Sequence, residues 1–174
     1  CNASVLHGKL GLSKDCAAFD INLGCSGFVY GLCVAQCLIE CGDLNHVLLA
    51  VGDTLSRCVG ERDRSVAPLF GDAGAAVLVS RSLKATNSYF SLSADGAGAD
   101  YIKVPAGGFR LPKSEQTSRI ETDTHGNSRS LENLYMDGAQ VFSFSIGTVP
   151  GSIDETFERF GVNKEEIDFF FLHQ

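Results

Sequence analysis

Cys25 lies in the run Phe19-Asp20-Ile21-Asn22-Leu23-Gly24-Cys25-Ser26-Gly27-Phe28, a single thiol with small residues on both sides. A cysteine used only for packing needs no such neighbours, whereas one that a substrate must reach does. Small flanks permit a sharp bend from strand to helix that presents the side chain, the device of a nucleophile elbow. With a helix starting at about Ser26, the sulfur meets unpaired backbone N–H groups and the positive end of the helix dipole, a setting that favours the reactive thiolate. The same residues would equally serve a tight packing turn. His173 is the second candidate. It follows the apolar run 167–172 (IDFFFL) and taken alone reads as an ordinary turn residue. Beside an exposed thiol, an imidazole supplies what a cysteine enzyme needs, a group that manages protons and developing oxyanions.

The elements that must position these groups alternate along the chain. Residues 16–23 read as a buried strand ending at Gly24. Phe28, Leu32, Ala35, Leu38 and Ile39 recur at helical spacing from Ser26 to about Cys41, and Gly42 supplies the stop. Residues 46–51 (HVLLAV) read as a strand, and a charged loop follows through Arg57, Glu61, Arg62, Asp63 and Arg64. Residues 75–80 (AAVLVS) and 89–93 (YFSLS) read as further strands. From 95 to 133 the glycine-rich, polar texture predicts a long excursion, and such loops are often functional. Residues 137–160 read as a helix with Val141, Phe142, Phe144, Ile153 and Phe157 on its apolar side, broken or kinked at Pro150-Gly151. Residues 167–172 read as a strand that delivers His173. The organisation is therefore α/β, in three parts: 1–94 with the thiol, an excursion over 95–135, and 136–174.

Composition excludes several classes of function. A net charge of −7 without any basic run argues against a nucleic-acid groove. No apolar stretch approaches the roughly 20 residues that span a bilayer. There is no signal-peptide pattern at Cys1, and a chain opening on cysteine reads as processed, trimmed or partial. The 7 cysteines are an odd number, unlike a secreted disulfide framework, so the expected compartment is reducing, most simply cytoplasm. Cys33, Cys37 and Cys41 form one stripe at four-residue spacing. A soft-metal site would use such a stripe, but no C-x-x-C pair or histidine pattern accompanies it. The reading is small buried hydrophobes in a core, with no metal.

In combination the landmarks resemble a known family. Residues 20–28 (DINLGCSGF) look like the active-cysteine segment of the 3-oxoacyl-[acyl-carrier-protein] synthase III (ketoacyl synthase III) family of the thiolase superfamily. Asp63-Arg64 followed by Leu69-Phe70-Gly71-Asp72 resembles its DR…FGDG stretch. Met136-Asp137-Gly138 resembles its M-x-G turn, and His173-Gln174 the start of its H-Q-A-N motif. The order is the family's and the resemblance covers essentially the whole chain.

The resemblance implies a partial thiolase-like fold of layered helices and mixed sheets, and a decarboxylating condensation of fatty-acid or polyketide-type synthesis. Cys25 would take an acyl group from acyl-CoA, malonyl-acyl-carrier-protein would lose carbon dioxide, and its enolate would attack the acyl-enzyme. His173 matches the catalytic histidine that stabilises the enolate, and Arg64 a residue contacting the CoA nucleotide. Phe70, Ile102, Met136 and Gly138 match positions around the acyl and pantetheine channel. No cofactor is implied, and the intact parent would be a homodimer. The family carries further segments before and after this region, and its catalytic asparagine follows the histidine. Asn127 in Thr124-His125-Gly126-Asn127 imitates that Gly-Asn motif but precedes His173. The chain alone is therefore expected to lack condensing turnover. A non-catalytic interaction module and a cysteine hydrolase are the alternative classes.

Overall fold

The computed structural model describes residues 1–84 and 87–173. Three α-helices, α1 (Asn2–Lys9), α2 (Gly27–Cys41) and α3 (Gly138–Phe160), join two long strands, β1 (His46–Thr54) and β2 (Asp72–Ser80). Among the described residues there are also four two-residue strands, β3 (Ile102–Lys103), β4 (Glu121–Thr122), β5 (Ser128–Arg129) and β6 (Tyr135–Met136), and short 3-10 turns at Leu55–Arg57, Gly96–Gly98 and Lys164–Glu166. Pairing is β1 with β2, β3 with β6 and β4 with β5. The chain divides into two compact units. The first holds Cys1–Val51, most of Ala76–Thr86, and Leu172 with His173; the second holds Gly52–Ala75 and Asn87–Phe171.

In the first unit α2 forms where the apolar period predicted it, with Ser26 at the N-cap and Gly42 at the C-cap. Its buried side is Gly31, Ala35 and Ile39, residues four apart and so stacked on one face. Gly31 lies against β1: a Cβ there would sit 2.7 Å from Leu49 Cδ1, the movable end of that side chain. β1 and β2 run antiparallel, since Arg81 N–H donates to Asn45 O at one end (2.9 Å) and Gly52 lies against Ala73 and Gly74 at the other. Helix α1 has a remote cap: the Asp20 carboxylate accepts from the Asn2 and Ala3 N–H groups, each at 2.7 Å. Two of the orphan donors of its first turn are thereby satisfied.

The second unit is built where an excursion was expected. Val66, Ala106 and Leu134 are its buried apolar residues, joined by two buried polar ones, Asp63 and Thr117. Backbone bonds knit the segment: Ala106 N–H to Leu131 O (2.8 Å), Leu131 N–H to Thr117 O (3.1 Å) and Leu134 N–H to Cys58 O (2.7 Å). Helix α3 is capped at both ends. Asp137 accepts from Gln140 N–H, and Gly161 takes the left-handed φ of 62° that closes the last turn.

Several sequence expectations are corrected. Residues 16–23, 89–93 and 167–172 are not strands: apolar runs make strands only when a neighbour pairs their backbone, and among the described residues none pairs with these. Phe171 is 92% exposed. Pro150 does not end α3, because it removes only one i→i−4 donor and the remaining ladder continues to Phe160. No residue of α3 is buried, and Phe142 and Phe144 are exposed. The cysteine stripe is not core either: Cys37 and Cys41 are exposed and Cys33 is half-buried. They stand two positions from Ala35 and Ile39, about 200° around the helix, and border an open apolar groove of about 420 Å³ with Leu38 and Leu44. Desolvation, with Cys33 alongside, raises the Cys37 thiol above its ordinary value, which opposes thiolate formation.

One side chain binds carbonyls at and just beyond the C-terminus of α2. Arg81 Nη2 donates to Gly42 O (2.8 Å), Leu44 O (3.3 Å) and Ile39 O. Arg81→Met is expected to lower stability by about 1–2 kcal/mol in chemical denaturation, the worth of charge-assisted bonds to helix-end acceptors. Arg81→Lys should recover only part of it, since its ammonium ends a shorter side chain than the one that carries Nη2 to these carbonyls. Unchanged stability in Arg81→Met would show that these carbonyls need no such partner.

Candidate active site

Cys25 occupies a turn closed by Gly27 N–H donating to Gly24 O at 2.8 Å, one residue before the N-cap of α2. Its thiol is free and exposed. Ser26 makes no side-chain capping bond, so the first N–H groups of α2 are not taken by its hydroxyl. Asp20, five residues upstream, is committed to α1 and fixes the approach to this turn. His173 is exposed and belongs to the same unit as Cys25. Among the described residues no hydrogen bond joins the two side chains. Gln174, the second residue of the His-Gln landmark, lies outside the described residues.

The second unit collects the other candidates into two groups. Ile102 and Met136 are direct cross-strand partners in the β3–β6 ladder. The two residues nominated for one channel thus come from opposite ends of the excursion. Asp137 N–H donates to Tyr101 O at 2.7 Å, and the Asp137 side chain then starts α3. Gly138 follows as the first helical residue, where an added Cβ would lie 3.8 Å from Met136 Cε. Met136, Asp137 and Gly138 therefore form a strand end, a helix cap and a helix start in succession. Phe70 is half-buried after a series of turns from Asp63, and among the described residues no ring contact ties it to that group.

Arg64 belongs to the second group. It is exposed, and its Nη2 donates to His125 O at 3.3 Å. His125 sits in a turn organised by Asp123, whose Oδ1 accepts from the His125 and Asn127 N–H groups, both at 2.9 Å. Gly126 completes the turn with φ 80°, a conformation that glycine adopts without strain. Asn127 also gives its amide to Asp123 Oδ2 at 3.2 Å, so its role is to build this turn. Sequence reasoning missed the group that ties the turn to Arg64. Arg129 donates through Nη1 to Asp63 at 2.8 Å and through Nη2 to Asp123 at 3.0 Å, and its guanidinium lies 5.1 Å from the Tyr135 ring centre. The available signal was the pair of aspartates flanking His125 and Arg64, which two-residue strands conceal. Asp72 of the Phe-Gly-Asp landmark is likewise a clamp: its carboxylate takes the Ser56 N–H at 2.8 Å and the Ser56 hydroxyl at 2.6 Å.

Residues 19–96 match the sequence pattern of 3-oxoacyl-[acyl-carrier-protein (ACP)] synthase III. The chain is 39% identical to the β-ketoacyl-[acyl-carrier-protein] synthase III of Caldanaerobacter subterraneus, over 99% of this chain and 49% of the relative. It is 36% identical to the enzyme of that name from Chlamydia caviae, again over 99% and 49%. A crystal structure of a 3-oxoacyl-(acyl-carrier-protein) synthase III superposes with a TM-score of 0.89 at 40% identity, over 95% of this chain and 50% of that one. The synthase of Burkholderia xenovorans gives 0.80 at 38%, over 97% and 46%. The fold is thiolase-like, as expected, and the chain spans about half the length of the relatives it matches.

The carboxylates around Arg129 set a pH dependence. Backbone donation from Asn127, with help from His125 and Arg129, brings the Asp123 carboxyl down to about 2 against the opposing effect of desolvation. Burial pushes Asp63 up, but Ser65 and Arg129 outweigh it and the net shift is downward. Depressed folded values mean stability that is complete above the ordinary carboxylate range, near 3.8, and lost as pH falls toward about 2. Denaturation midpoints measured between those limits should fall steeply, and Asp123→Asn should flatten part of that slope. A variant slope equal to the parent's would show that Asp123 does not carry it.

Proposed function

From the 3-oxoacyl-[acyl-carrier-protein] synthase III family, to which this chain belongs along nearly its whole length, we propose its function: decarboxylating condensation in fatty-acid or related polyketide-type synthesis. The observation that carries the reading is the exposed Cys25 thiol in the turn directly ahead of α2. Cys25 thiolate attacks the carbonyl of an acyl-CoA thioester; the new carbon–sulfur bond forms as the bond to CoA breaks, and CoA leaves as its thiolate. Malonyl-acyl-carrier-protein then loses carbon dioxide, and the electron pair of the broken carbon–carbon bond becomes an enolate. His173 donates to that enolate oxygen. The enolate carbon attacks the acyl group and Cys25 departs as thiolate, leaving 3-oxoacyl-acyl-carrier-protein. Such donors act where charge develops and are worth most in a water-poor site.

The remaining candidates hold the substrates. Arg64 offers a planar, permanently charged fork to the CoA phosphates. Ile102, Met136 and Gly138 line the acyl and pantetheine channel with Phe70. In this reading residues 1–94 end the first thiolase-like half, 95–135 intervene, and 136–174 begin the second. The parent is a cytoplasmic homodimer. No helix is long and apolar enough to cross a membrane among the described residues.

Two measurements test the reading. After exposure to a short-chain acyl-CoA, peptide mapping should place a thioester on Cys25, absent in Cys25→Ala. Faster labelling of Cys33, Cys37 or Cys58 would overturn the nucleophile, and release of free acid without malonyl-dependent carbon dioxide would indicate a hydrolase. In the full-length protein, Arg64→Ala should raise the KM for acyl-CoA by roughly tenfold, about one charge-assisted hydrogen bond, with a smaller change in kcat. An unchanged KM would leave Arg64 a solvated surface residue.

A further inference from the structure

We infer that Arg129 is the positioning residue for Arg64, acting through the turn 123–127; the inference rests on the reading of Arg64 as the CoA contact. Two short segments meet at Arg129. One carries Asp63 and Arg64, the other the turn from Asp123 to Asn127. Between them Arg129 spends one fork on both carboxylates, Nη1 to Asp63 and Nη2 to Asp123. Tyr135, 5.1 Å away, adds a face for the guanidinium plane. The Arg129 side chain is only 19% exposed, so it reaches ligands through others and not by itself. Backbone contacts run beside it: Ser128 N–H donates to Arg62 O at 3.2 Å.

The consequence falls on Arg64. Its one hydrogen bond among the described residues is to His125 O, a carbonyl of the very turn that Asp123 shapes. An added Cβ at Gly126 would stand 3.7 Å from Arg64 Nη2, so the guanidinium lies in ordinary contact distance of the turn. Arg129 thereby fixes both ends of the Arg64 side chain, the backbone through neighbouring Asp63 and the guanidinium through the turn. A long exposed arginine otherwise samples many rotamers, and holding it in one lowers the ordering cost when a phosphate binds.

The test uses the 174-residue chain, 15N-labelled, with CoA as the probe. The Arg64 side-chain N–H signal, assigned by its loss in Arg64→Ala, should show slow solvent exchange that Arg129→Ala abolishes and Arg129→Lys partly restores. CoA titrations should weaken by a similar factor, roughly tenfold, in Arg64→Ala and Arg129→Ala, with the double variant no weaker than either. An unaltered Arg64 signal in Arg129→Ala, or effects that multiply in the double variant, overturns the inference. Normal CoA binding by Arg64→Ala would instead overturn Arg64 as the CoA contact, while the exchange measurement still decides the positioning. Should Arg129→Ala fail to fold, Asp123→Asn removes the charge at the turn end alone. It should speed exchange at Arg64, and unchanged exchange there counts against the inference.

Discussion

Arg129 meets two carboxylates with one guanidinium, and the second unit is organised around that arrangement. Asp63 is wholly buried, and a buried charge without a partner is destabilising by about 3–5 kcal/mol. The Ser65 N–H and hydroxyl and Arg129 Nη1 together satisfy it. Because the partners lie 66 residues apart in sequence, satisfying one carboxylate also closes the long segment between them. Segments 58–70 and 117–135 are then held by further backbone bonds, with Val66, Ala106 and Leu134 enclosed. A region of glycine, serine and threonine, too poor in apolar residues for a conventional core, acquires order through polar satisfaction.

Helix ends do comparable work around individual candidate residues. Asp20 caps α1 from a distance, the 24–27 turn presents Cys25 before α2, and Asp137 converts the β6 strand end into the start of α3. In each case a short polar residue or glycine sits where unpaired N–H groups begin. Catalytic and binding candidates thus cluster at transitions between elements, where side chains can be exposed without breaking a ladder. The Arg81 side chain does the opposite service at the other end of α2, binding the carbonyls of Ile39, of the Gly42 C-cap and of Leu44 just beyond the helix.

The cysteine-rich side of α2 shows how one periodicity can carry two faces. Gly31, Ala35 and Ile39 bury against the sheet, while Cys33, Cys37 and Cys41 line an open apolar groove. Both series repeat every four residues, so helical spacing alone does not say which one meets the sheet. The structure decides it: Leu49 of β1 lies against Gly31, on the face that also buries Ala35 and Ile39.

Much of the local structure around the candidate residues was legible in the sequence because it depends on local chemistry. The glycines around Cys25, the stop at Gly42 and the Asp137 cap each act within a few residues, and so α2 and α3 formed where spacing placed them. Strand identity was not local. Residues 46–51 and 75–80 found each other, whereas 16–23, 89–93 and 167–172, also apolar in pattern, remained irregular for want of a paired neighbour among the described residues. The pairing of Ile102 with Met136 and the bridge from Asp63 through Arg129 to Asp123 were likewise decided only in three dimensions. The physical reason is the same throughout: a cap or turn is satisfied by its own neighbours in sequence, whereas a ladder or a buried charge is satisfied only by a partner that folding must deliver.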